Sequence, residues 1–114
     1  MTIYSVTVSI EEAEAAGFLE WMLQTHIPEV LATGCFSGGC RVARLVLPAG
    51  EPGQVTYSFQ YQAESRAAYE AYRTQHAPGL QAKTAARYGD RLMAFRSLLE
   101  GLAHVGQAPT PSLN

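Results

Sequence analysis

The sequence predicts an α+β domain built as β-α-β-β-α-β, a four-stranded antiparallel sheet with helices on one face. Three observations carry this prediction. Two stretches alternate apolar and small polar residues, at 3–10 and 54–62, and two more read as Val/Leu-rich or apolar strands. Two intervening stretches carry apolar residues at helical spacing. The two halves also echo one another: His26-x-Pro28 recurs as His76-x-Pro78, and the same offset pairs Leu19 with Tyr69 and Met22 with Tyr72. The strands match less well at that offset, so the echo points to pseudo-twofold symmetry rather than to a proven duplication.

In residues 3–10, Tyr4, Val6, Val8 and Ile10 share one face and Ile3, Ser5, Thr7 and Ser9 the other, as in a half-buried strand. Ser9-x-x-Glu12 fits a capping box, in which each side chain satisfies the other's backbone N–H, so the first helix is expected to open at Ser9. Its apolar stripe runs through Ala15, Phe18, Leu19, Met22, Leu23, His26 and Val30, and Gly34 is the natural stop. Residues 35–47 read as a strand and 47–53 (LPAGEPG) as a turn. In the third strand Val55, Tyr57, Phe59 and Tyr61 oppose Thr56, Ser58, Gln60 and Gln62. Ser65 is placed to cap a second helix with Ala68, Tyr69, Tyr72 and His76 on its stripe. Gly89 ends that helical region, and residues 91–99 form the last strand. The domain is expected to span 1–100, with a flexible, Pro-containing tail over 101–114. This order is the split-βαβ, or ferredoxin-like, arrangement.

Composition narrows the function classes. The net charge is −2, and the seven arginines and Lys83 are scattered without a cluster of three, which leaves no basic footprint for nucleic acid or an anionic membrane. No stretch approaches the roughly 20 apolar residues of a membrane span. Two cysteines and no export signal predict a reducing, cytoplasmic location.

The fifteen residues HIPEVLATGCFSGGC (26–40) concentrate the chemistry-bearing types. A Cys35–Cys40 disulfide needs Cα atoms within about 7 Å, whereas five residues of extended strand span roughly 16 Å. Zinc lacks a second cysteine pair, leaving only His26, His76 and His104 to complete a set. A phosphate loop needs its glycines between a strand and a helix, the reverse of this order. The glycines are therefore read as a helix stop and a bulge or close-approach point, and the cysteines as packing residues. No metal and no cofactor is expected.

Pro28 and Pro78 each remove a helical N–H, so each helix is expected to break there and restart with proline in its first turn. His26 and His76 would end the first segments. Either they cap free carbonyls, or they line a cavity between helices and sheet as base, hydrogen-bond donor or haem ligand. Metal ligation by the pair is the third possibility. Arg44 and Arg96 fall on edge strands, where charge discourages aggregation; an anionic ligand or a dimer interface are the alternatives. Trp21 lies opposite its helix's apolar stripe and is expected at a contact or pocket wall. Finally, Ser5, Thr7, Ser9, Thr56, Ser58 and Gln60 form a small, polar, uncharged face. Such a face predicts a cover, and a homodimer stacking two sheets would supply it.

IYSVTVSI, EWMLQTHIPEVLATGCF, VTYSFQY, AYEAYRTQHAPGLQ and RLMAFRSLLE together resemble the dimeric α/β-barrel superfamily, and within it a small bacterial family classed as domain of unknown function 4286. The resemblance implies a ligand cavity between helices and sheet. The superfamily that the chain resembles includes cofactor-independent monooxygenases, which commonly use an Asn, Trp and His set. The sole asparagine here is Asn114, so that set is incomplete. The expected function is a homodimeric small-molecule-binding protein, with ligand contacts from His26, His76, Tyr57, Tyr69, Tyr72 and Trp21. The alternatives are cofactor-independent oxygenation or isomerisation of a planar substrate with His26 as catalytic base, haem binding, and a structural or partner-binding dimer without a ligand site.

Overall fold

The computed structural model describes residues 1–106. Its elements are β1 (Thr2–Glu11), α1 (Glu12–Trp21), a π-helical turn (Met22–His26), α2 (Ile27–Leu31), β2 (Cys40–Arg44), β3 (Gln54–Ala63), α3 (Arg66–Gln75), α4 (Ala77–Tyr88), a 3₁₀ turn (Gly89–Arg91) and β4 (Met93–Glu100). The strands form one sheet in the order β2-β3-β1-β4, all neighbours antiparallel. This is the predicted α+β, ferredoxin-like architecture, with β1 and β3 central. Residues 101–106 have no regular secondary structure, and the rest of the predicted tail lies outside the described residues. Among the described residues no helix is long and apolar enough to cross a membrane.

Alternation decides the faces. Tyr4, Val8 and Ile10 on β1 and Tyr57, Phe59 and Tyr61 on β3 are buried, and they meet Phe18, Met22, Val30 and Tyr72 from the helices. Phe18 packs edge-on against Phe59 (6.1 Å, 78°) and Tyr88 (5.2 Å, 84°), a geometry that sets a positive ring edge against a negative face. A second aromatic group joins Tyr4, Phe36, Tyr61 and Tyr72, with Phe36 and Tyr72 at 4.8 Å.

The helix starts divide. Ser65 Oγ accepts the Ala68 N–H at 3.1 Å, as expected of a cap. Ser9 does not cap α1: β1 runs on to Glu11, and the Ser9 hydroxyl bonds Thr56 Oγ1 at 2.7 Å. The reason is that β1 is paired on both sides, with Ser9 opposite Thr56 and Met93. Two ladders outweigh one capping box. The Glu12 N–H instead bonds the Gly53 carbonyl at 2.8 Å.

The strand expected over 35–47 shortens to Cys40–Arg44. Before it, the chain folds against β3: Gly38 N–H bonds the Gln62 carbonyl at 3.0 Å, and a Cβ on Gly38 would stand 2.7 Å from Gln62 Cβ. Gly38 is thus a close-approach point, and Gly34 and Gly39 take φ of 79°, a conformation that suits glycine.

Candidate functional site

The two His-x-Pro segments fold differently. Around Pro78 the helix breaks as expected. α3 ends at Gln75, His76 leaves helical geometry at φ −125°, and α4 restarts with Pro78 in its first turn. Around Pro28 no break occurs. The Ile27 N–H reaches back five residues to the Met22 carbonyl, and the wide turn carries the chain into α2 with Pro28 in its first turn.

That turn repositions His26. In an α-helix, positions five apart lie about 140° apart around the axis. Here Trp21 and His26 stack, with centroids at 5.0 Å and planes at 24°. Trp21, half-buried, also meets Tyr88 edge-on at 5.7 Å, and the Arg87 guanidinium lies over its ring. His26 Nδ1 is buried and has no hydrogen-bond partner. It caps nothing; the ring faces inward.

It faces a cavity of about 60 Å³ between the helices and the sheet. Tyr4, Phe59 and Tyr61 line it from the sheet, Met22 and Tyr72 from the helices, and Arg96 from β4. A cleft of about 400 Å³ adjoins it through Tyr4, Tyr72, Gln81 and Arg96, and is walled further by Tyr69 and Leu98. Of the residues expected at the site, His26 and Tyr72 line the cavity, Tyr69 lines the cleft, and Trp21 stands behind His26. Tyr57 lies among the core rings, its hydroxyl donating to the Ala15 carbonyl at 3.4 Å. His76 lines a separate open groove beside Glu29 and Lys83, which pair at 2.9 Å. The pseudo-symmetry therefore holds for Met22 and Tyr72, which share the cavity, and fails for the histidines.

Tyr4, Tyr61 and Gln81 line these spaces although sequence reasoning did not place them there, and Arg96, read as an edge-strand charge with an anionic ligand as one alternative, lines both. The signal was present in the alternation: Tyr4 and Tyr61 share the apolar faces, and Arg96 stands directly opposite Val6 on β1. Whether such residues end in solid core or at a void depends on packing.

Burial dominates the electrostatics. It lowers the His26 pKa, with Glu29 opposing and Lys83 and Arg96 adding to the effect. It raises the Tyr61 and Tyr72 hydroxyls well above the usual phenol range. It also raises Tyr4, where the nearby Arg96 guanidinium works the other way. At neutral pH the cavity therefore presents a neutral imidazole, un-ionised phenols and one guanidinium. Because the folded state disfavours protonated His26, its contribution to stability is complete above about pH 6.5. It declines as pH falls from there toward the lowered folded value, since the unfolded chain binds the proton first. Urea unfolding at pH 7.5 and 5 should show this decline, and His26→Gln should reduce it. An identical slope in the variant would refute the assignment.

The fold and the helix–sheet pocket define a ferredoxin-like α+β protein. Residues 1–102 match the domain of unknown function DUF4286, and the chain belongs to that family. Among solved structures it is similar to a proposed antibiotic biosynthesis monooxygenase from Deinococcus radiodurans, at 15% identity and TM-score 0.64 over 96% of this chain and 100% of that one. It is similar to an ethyl tert-butyl ether D family protein from Bacillus halodurans, at 18% identity and TM-score 0.56 over 90% and 100%. A dimeric ferredoxin-like protein from an uncultured marine organism is also similar, at 16% identity and TM-score 0.55 over 91% and 98%. These likenesses establish the fold. No curated protein matches the chain.

Proposed function

We propose that this protein is a homodimeric small-molecule-binding protein whose ligand occupies the pocket between helices and sheet. The observation that carries the reading is that His26, whose buried Nδ1 has no partner, lines a cavity walled by tyrosines. A buried polar nitrogen without a partner costs about 1–3 kcal/mol, and a ligand or bound water that meets it recovers that cost. The cleft, at about 400 Å³, falls in the size range of small-molecule sites. The inner cavity has room for a few atoms only, so a macrocycle such as haem would have to remain in the cleft.

The dimer reading draws on the helix-free face. Met93 and Phe95 on β4 are 74% and 69% exposed there, beside the Ser/Thr rows of β1 and β3. The structurally similar marine protein is dimeric. Free thiols at Cys35 and Cys40 suit a reducing cytoplasm, and neither nucleic acid nor membrane enters the reading.

A fluorescence titration with the neutral probe 1-naphthol tests the pocket. One saturable site per chain is expected, and Ala94→Trp, which places an indole in the cavity lining, should remove it. Absence of saturable binding would overturn the reading. The neutral imidazole also favours a second one, cofactor-free oxygenation or isomerisation with His26 as base. On that reading His26→Ala lowers turnover about 100-fold with the fold intact; an unchanged rate would dismiss it.

A further inference from the structure

We propose that the pocket selects small aromatic monocarboxylates, with the Arg96 guanidinium as the seat of the carboxylate; this rests on the helix–sheet pocket being a ligand site.

Charge is the first support. No carboxylate lines either the inner cavity or the cleft. The other basic side chain of the cleft, Arg73, is engaged by Glu70 at 2.6 Å. Among the described residues Arg66, Lys83 and Arg91 also have carboxylate partners, and Arg87 lies over the rings of Trp21 and Tyr88. Arg96 has no carboxylate among the described residues. Its position opposite Val6 turns it toward the helix side of the sheet, where it lines both the inner cavity and the cleft. Arg96 is an exposed residue of the edge strand β4, and it sits where the two spaces meet.

The chemistry of the fork sets the ligand class. Guanidinium offers parallel donors that match a carboxylate's two oxygens. One unpaired cation balances one negative charge, which favours a monocarboxylate over a phosphate dianion. The walls supply the rest. Tyr4 lies at 5.3 Å and 45° to Tyr69 and at 5.9 Å and 49° to Tyr72, and Leu98 adds aliphatic surface. This corner of tilted rings accommodates a flat apolar body by offset or edge contacts. At the inner end the His26 ring lines the cavity. Burial keeps that ring neutral, so it does not compete with Arg96 for the anion.

The test compares 1-naphthoate with its neutral counterpart 1-naphthamide, titrated into the full-length protein by calorimetry. Hydrogen bonds to charged groups are worth enough to predict naphthoate binding about 10-fold tighter or more. Arg96→Gln should bring the two affinities together, and Arg96→Lys, which keeps the charge but loses the fork, should retain part of the preference. Equal affinities in the wild-type protein would overturn the inference while leaving the pocket reading intact, and that result does not depend on any variant folding. A preference undiminished in a folded Arg96→Gln variant would also overturn it. Binding of neither probe would bring down both readings.

Discussion

Phe59→Ala is expected to destabilise the protein by about 3–5 kcal/mol. Phe59 is fully buried on β3, held between Val6 on β1 and Val42 on β2. Its ring contacts Phe18 and Tyr57, each at 6.1 Å. Removing it forfeits the transfer free energy of a large ring, and the cavity it already lines would grow rather than collapse. Domains commonly hold only 5–15 kcal/mol in all, so the variant should show a much lower urea midpoint or partial unfolding without denaturant. A midpoint within error of wild type would mean that this ring does not organise the core.

Phe95→Arg is expected to convert the proposed dimer to monomer at micromolar concentration. Phe95 pairs with Thr7 on the helix-free face, between the neighbouring same-face residues Met93 and Ser97. A twofold interface presents each residue twice, so one substitution brings two desolvated cations into a single apolar contact. Losing a central aromatic anchor alone commonly costs 2 kcal/mol or more, and burying the charge adds to that. Sedimentation velocity should show the wild-type mass halve in the variant, with far-ultraviolet circular dichroism unchanged. A wild-type monomer, or a variant that remains dimeric, would exclude this face as the interface.

The first prediction depends on a strand face that was legible in the chain, and the second on the register of β4 against β1, which only the structure supplies. Tyr4, Val6, Val8 and Ile10 could be set against Ser5, Thr7 and Ser9 because a strand's period of two is strict wherever one side is buried. Ser65, Gly34 and Gly89 acted as local punctuation, and local chemistry was sufficient for them. Ser9 looked equally local and misled. Its capping partner lay three residues away in sequence, but its actual partner, Thr56, arrives from another strand.

The candidate site was legible in part. His26 and Tyr72 could be placed on inward stripes, and they do line one cavity. Tyr57 looked equivalent to them, yet its ring packs in the core beside Phe18 and its hydroxyl turns to Ala15. Arg96 could be read as a charge on an edge strand. Its meeting with Tyr4 and Tyr72 required the register of β4 against β1 and the placement of α3.

The amino-acid sequence by itself determined the order of elements, the faces of the central strands and the echo of the two His-x-Pro segments. These follow from periodicity, caps and proline sterics, all of which act over a few residues. The tertiary structure decided which echoed histidine lines the cavity between helices and sheet. The first helix absorbs its proline in a wide turn that brings His26 onto Trp21 and toward the cavity. The second helix breaks and leaves His76 in an outer groove. Both prolines impose the same local demand, a missing N–H, and only packing against the sheet determines how each helix meets it.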